Sequence, residues 1–137
     1  MLTNGGLGKS VTVRSIRLAA DGSQQLLVRG SGSCLCGAQN CGFWIYRKQG
    51  EKYELLLTGA GATKVEAARN AVKGYRDVVS ESHASAIDTI VRTYRFDGAH
   101  YGLQRCVRRV DYDQNGNPIK TPALLPCEER KVDPTIR

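Results

Sequence analysis

Val11, Val13, Ile16 and Leu18 stand among Thr12, Arg14 and Arg17 at a spacing of two that slips once. That pattern predicts a strand over 11–18 with one break in phase. Asp21-Gly22 follows as a turn, and Gln25–Arg29 reads as a second strand. Phe43–Lys48 and Glu51–Leu57 flank Gln49-Gly50, while Thr89–Phe96 and Ala99–Val107 flank Asp97-Gly98. Each pair predicts a hairpin with a two-residue loop ending in Gly, the chemistry of a type I′ turn. The register that follows opposes Lys48 to Glu51, Tyr46 to Tyr53 and Trp44 to Leu55. In the second hairpin it opposes Phe96 to Ala99, Tyr94 to Tyr101 and Arg92 to Leu103. A third hairpin is expected at Asn115-Gly116, joining 108–113 to 117–121.

The chain repeats itself. Tyr46 to Leu55 and Tyr94 to Leu103 share the pattern Y-R-x-x-G-x-x-Y-x-L, and Gly22–Val28 is echoed by Gly74–Ser80. Self-similarity of this kind fixes architecture before any other signal. The echo lies at an offset of 52 (Gly22 to Gly74) and the motif at 48 (Tyr46 to Tyr94), so the first copy carries four extra residues. They fall where Ser33 to Cys41 sits, a cysteine loop inserted into one copy only. Loop insertions are where function is commonly added.

Over 62–74 two readings compete. Val65, Ala68 and Val72 suit one face of a helix, and the alanines favour it. The repeat instead aligns this segment with Ile16–Ala20, which reads as a strand. A strand is expected, with a short helix near 63–73 as the alternative.

The fold class expected is all-β: two tandem antiparallel units packed as one domain. A single unit cannot bury its apolar face alone, so the copies should cover one another. Residues 1–10 form a flexible leader, the repeats occupy about 11–58 and 63–107, the final hairpin ends near 121, and 122–137 is a tail. An open sheet edge remains available to a second chain, giving a homodimer.

Composition changes this picture little. With 137 residues and 24% charged, the chain is of ordinary single-domain size and globular in type. The net charge of +7 admits a nucleic-acid partner, yet the cations are dispersed. Their densest group is Arg105, Arg108 and Arg109 with Arg92 and Arg95 nearby, and no aromatic RNA-binding motif, zinc finger or basic helix accompanies them. No stretch reaches the length of a membrane span. Met1–Ser10 lacks the apolar core of a signal peptide, so either the protein is cytosolic or a leader has been removed.

Of five cysteines, Cys34, Cys36 and Cys41 lack the paired spacing of structural zinc sites and have no nearby His. Disulfides Cys36–Cys41 and Cys106–Cys127 are expected, leaving Cys34 over, and two bridges imply an oxidising compartment. Asp111-Tyr112-Asp113-Gln114-Asn115-Gly116 opens like a calcium loop, but the twelfth position is Pro122 rather than a bidentate Glu. A turn is the simpler reading, and no metal or cofactor is expected. His83 lies among Ser80, Ser82 and Ser85, the one place where a His adjoins serine hydroxyls. Neighbours in a strand point to opposite faces, so Ser82 and His83 should not meet.

Asp21-Gly22 before an apolar strand, then Tyr46-Arg47-x-x-Gly50-x-x-Tyr53, resembles a blade of FG-GAP/VCBS-type β-repeats. Cys36-Gly37, Asn40-Cys41-x-x-Trp44-Ile45-Tyr46, Gly74-Tyr75-x-Asp77, Ser82-His83-x-Ser85-Ala86 and Tyr94-Arg95-Phe96-Asp97-Gly98 also resemble segments of uncharacterised bacterial exported proteins. The likeness spans about Ile16 to Cys106 and implies export, to the periplasm or beyond, and a β architecture. It supplies no activity. The Asp/Asn-rich calcium run of FG-GAP repeats is missing before Asp21, and two units are too few to close a propeller.

The function expected is a non-enzymatic exported domain that binds a protein or a glycan. Trp44, Tyr46, Tyr53 and His83, with the Cys34–Cys41 loop, are its candidate contact residues; the competing reading places Trp44 and the tyrosines in the core, and for Trp44 that is the expectation. A small hydrolase using His83 with Ser82 or Ser85 is one alternative, and a basic nucleic-acid binder is the other.

Overall fold

A computed structural model describes residues 11–32, 36–37 and 40–127. The leader, Cys34 and residues 128–137 lie outside the described residues. The strands in chain order are β1 (Val11–Ile16), β2 (Gln25–Gly30), β3 (Cys36–Gly37), β4 (Asn40–Gln49) and β5 (Lys52–Ala62). They continue as β6 (Lys64–Val72), β7 (Tyr75–His83), β8 (Asp88–Phe96), β9 (Tyr101–Tyr112) and β10 (Pro118–Pro126). Among the described residues no helix is long and apolar enough to cross a membrane.

The domain is all-β. One antiparallel sheet runs β1-β2-β4-β5, with β3 folded back onto the start of β4. The other runs β6-β7-β8-β9-β10 in chain order. The chain passes between them at Thr63, whose amide and hydroxyl both donate to the Glu81 carbonyl at 2.7 and 3.1 Å. Residues after β1 tie the sheets together, since Arg76 N donates to Leu18 O (2.9 Å) and Ala20 N to Gly74 O (2.8 Å).

The duplication is visible strand by strand. β1, β2, β4 and β5 correspond to β6, β7, β8 and β9. Leu26 pairs with Tyr46 as Val78 pairs with Tyr94, and Tyr46 with Leu55 as Tyr94 with Leu103. Both outer hairpins then skip one residue at the same place, Leu56 in β5 and Gln104 in β9. Such bulges increase twist, and this one was copied with the unit. The segment 64–72 is strand: pairing with β7 overrides its alanine content, and no helix forms there. β10 continues to Pro126, beyond the boundary expected at 121.

Both hairpin registers differ from expectation by two residues, in the same sense. Gln49 pairs with Lys52, so the loop is Gly50-Glu51, with Gly50 at φ 64° in the first loop position. A Gly there with only one positive φ fits a type II′ turn rather than I′. In the second, Phe96 pairs with Tyr101 and four residues form the loop. The Asp97 carboxylate closes it by accepting from Ala99 N (2.8 Å) and His100 N (2.9 Å). Tyr46 therefore faces Leu55 rather than Tyr53, and Tyr94 faces Leu103 rather than Tyr101. The Asn115-Gly116 turn lies where expected, closed by Asp113 N to Asn117 O at 2.9 Å.

The two units do not bury the same face. In the first sheet Leu27, Phe43, Ile45 and Leu57 point inward. In the second Val78, Tyr94, Phe96 and Tyr101 do so. Tyr94 is the counterpart of Tyr46, whereas Phe43 is the counterpart of Val91, so unlike faces of the repeat meet in the core. The ring of Phe43 meets that of Tyr94 edge-on at 6.2 Å, an arrangement worth about 0.5–1.5 kcal/mol beyond area burial. The slip of phase in β1 has the same origin. Val13 points outward at 57% exposure, while Ile16 and Leu18 enter the core.

Candidate functional site

The outward face of the first sheet carries the candidate contact residues. Tyr46 is cross-strand from Leu26 and Leu55, Trp44 from Val28 and Thr58, and Tyr53 from Lys48. Strand alternation puts all of these on the side away from the core. Tyr53 is 54% and Leu55 40% exposed, Trp44 and Tyr46 are half-buried, and Val13 extends the apolar strip onto β1. Trp44 lies over Gly42, where an added Cβ would stand 3.2 Å from its ring. The missing side chain lets the indole lie against its own strand. A continuous apolar and aromatic strip on a sheet face is the kind of surface that marks an interaction site.

His83 does not join this group. It ends β7 in the other sheet, exposed, and its backbone is clamped by Asn40: His83 N donates to Oδ1 (2.9 Å) and Asn40 Nδ2 donates to His83 O (3.0 Å). Asn40 begins β4 next to Cys41, whose disulfide with Cys36 spans directly paired residues. The inserted cysteine hairpin thus fastens one sheet to the other through Asn40. The second bridge, Cys106–Cys127, ties the end of β10 to β9. Both pairings match the expectation.

The residues of the hydrolase alternative diverge. Ser82 is buried on the core side, where its hydroxyl accepts from Arg92 (3.1 Å). Ser85 donates its hydroxyl proton to Asp88. His83 lies on the other side of β7 from Ser82, while Ser85 is turned to Asp88.

The five arginines of the basic alternative divide between faces. Arg92 and Arg108 lie on the core side, with Arg108 paired to Asp88. Arg95, Arg105 and Arg109 point outward from the second sheet; Arg95 grips Asp77 with two nitrogens, and Arg109 reaches Asp111 (2.9 Å) and Glu81 (3.4 Å). The calcium-like loop is likewise engaged by protein donors, because Asp113 Oδ1 accepts from Asn115 N (2.8 Å) and Asn117 N (2.9 Å). Among the described residues no three His, Cys, Asp or Glu side chains are placed to hold a metal ion.

Sequence reasoning missed the carboxylates that bind these cations. Asp77 is only 2% exposed, and hydrogen bonds from Arg95, joined by Asn70 Nδ2 at 2.7 Å, hold its carboxyl below the ordinary 3.8 against the opposing effect of burial. Asp88 is held low first by the Ser85 hydroxyl and then by Arg108. A carboxylate with a depressed folded pKa contributes stability that is present above its unfolded value and lost as pH falls through the folded one. Thermal midpoints should therefore hold between about pH 7 and 5 and decline below about pH 4. Asp77→Asn should lower the midpoint at neutral pH and flatten that decline, as read by circular dichroism. An unchanged acid profile would contradict this role for Asp77.

Neither protein-family models, curated proteins nor solved structures yield a match to this chain.

Proposed function

We propose that the chain is a non-enzymatic, exported interaction domain, periplasmic or secreted, that binds another protein through the outward face of its first sheet. The observation that carries this reading is the strip formed by Trp44, Tyr46, Tyr53 and Leu55, with Val13 beside it. Aromatic side chains are enriched at protein interfaces, where they bring large contact area at small entropic cost. The strip is a broad sheet surface with aliphatic groups between the rings, which favours a protein partner over a glycan. Two disulfides are consistent with an oxidising compartment.

Site-specific photo-crosslinking in the native cell tests the reading. A photoreactive phenylalanine analogue at Tyr53 is expected to yield discrete adducts, and the same residue at exposed Gln114 is expected to yield none. Absence of adducts at Tyr53, or equal capture at both positions, would contradict it.

A further inference from the structure

The two faces this chain leaves outward are the counterparts of the two faces it buries. In the second sheet the outward residues Val91, Thr93 and Arg95 correspond to Phe43, Ile45 and Arg47, which face the core side in the first. In the first sheet outward Tyr46, Leu26 and Tyr53 correspond to Tyr94, Val78 and Tyr101, which are buried in the second. The contrast is sharp at one position: Tyr101 is 8% exposed and Tyr53 is 54%. The internal contact is thus heterologous, joining one face of a unit to the opposite face of its copy. A heterologous contact leaves one face of each kind unused, and those faces can complete the same contact only between molecules.

We infer that a second copy of this chain docks head to tail, placing the outward face of its second sheet on the outward face of the first, and that repetition closes a ring. This rests on the aromatic face being an interaction surface, and it names the partner. The receiving face has the right shape and chemistry. A shallow groove of about 200 Å³ is lined by Val91, Thr93, Arg105, Val107, Arg109 and Leu124. Internally, Tyr94 packs against the ring of Phe43, which lies over Gly59. At the corresponding place the groove has Val91 opposite Val107, leaving an apolar floor for Tyr46. Arg105, which lines it, suits the face of an aromatic ring. A core residue pair in one unit and a groove floor in the other are therefore two versions of one surface. Closed rings of stacked four-stranded units hold roughly four to eight of them, which corresponds to about two to four copies of this chain.

Light scattering and native mass spectrometry on the purified, oxidised chain test the inference. The wild type is expected to give one closed species of about two to four copies. Tyr53→Glu on the first sheet, whose counterpart Tyr101 is buried in the internal contact, and Arg105→Glu on the second should each reduce it to monomer. An equimolar mixture of the two variants should form a dimer and nothing larger, because one intact face of each kind remains in the mixture. If Tyr53→Glu does not fold, as judged by circular dichroism, Tyr53→Lys replaces it, since that side chain is 54% exposed. A wild type that stays monomeric at high concentration would overturn the inference. So would an oligomer indifferent to both substitutions, as a dimer joined through a sheet edge would be, or a mixture that stays monomeric. A monomeric wild type whose Tyr53 still crosslinks to another protein would end self-docking and leave the interaction reading intact. No adduct at Tyr53 would remove both.

Discussion

Gly59→Ala is expected to lower the thermal midpoint by roughly 10 °C, a loss of about 3 kcal/mol from the addition of one methyl group. A Cβ on Gly59 would stand 2.0 Å from Cζ of Phe43, which is fully buried and cross-strand from it. Neither partner has room to yield. Phe43 is wedged against Tyr94 of the other sheet, and the Gly59 backbone is fixed by pairing in β5. Overpacking of this kind forces side chains off their rotamers or moves the backbone, and either outcome is costly. Phe43→Leu should recover part of the loss in the Gly59→Ala background while costing stability alone, a departure from additivity of more than about 0.5 kcal/mol. Denaturant melts of the four proteins check this. A Gly59→Ala variant as stable as the wild type would mean that Phe43 does not lie over Gly59.

The second large effect is expected from Cys106→Ser combined with Cys127→Ser. The bridge closes a separation of 21 residues, for which loop-closure entropy gives about 3 kcal/mol. Nearly all of β10 is exposed, so little buried apolar surface holds it to β9 once the bridge is gone. The consequence should be local before it is global. Hydrogen exchange should show amides of β10 losing protection while those of β7 and β8, inside the sheet, keep theirs. Release of β10 also removes Leu124 from the groove on the second sheet. Equal protection of β10 with and without the bridge would contradict this account.

Much of the architecture was legible because the unit was copied. The repeat correctly made 64–72 a strand where alanine content alone pointed to a helix, and it located the cysteine hairpin as an insertion. Register was harder to read. Whether Gly50 takes the first or second place in its loop changes pairing by two residues, and the sequence Gln-Gly-Glu does not distinguish them. In the second loop the Asp97 carboxylate, together with Gly98 at φ 109°, closes a longer turn than two residues. The hidden feature was the choice of face. Both sides of the first unit are apolar, Phe43 and Ile45 on one and Trp44 and Tyr46 on the other, so alternation alone cannot say which is core. The slip between Val13 and Ile16 was the available signal, a strand with apolar residues on both sides. Asp77 and Asp88 were missed because ion pairs across strands depend on register.

The most direct measurement uses Trp44, the one tryptophan in the chain. Its acrylamide quenching should be compared in the wild type and in Arg105→Glu at the same high concentration. Within one molecule Trp44 and Arg105 lie on opposite outward faces with the core between them, so a change at one reaches the other only through a neighbouring copy. Docking predicts a shielded Trp44 in the wild type and a readily quenched one in Arg105→Glu. Equal quenching in the two proteins would contradict it.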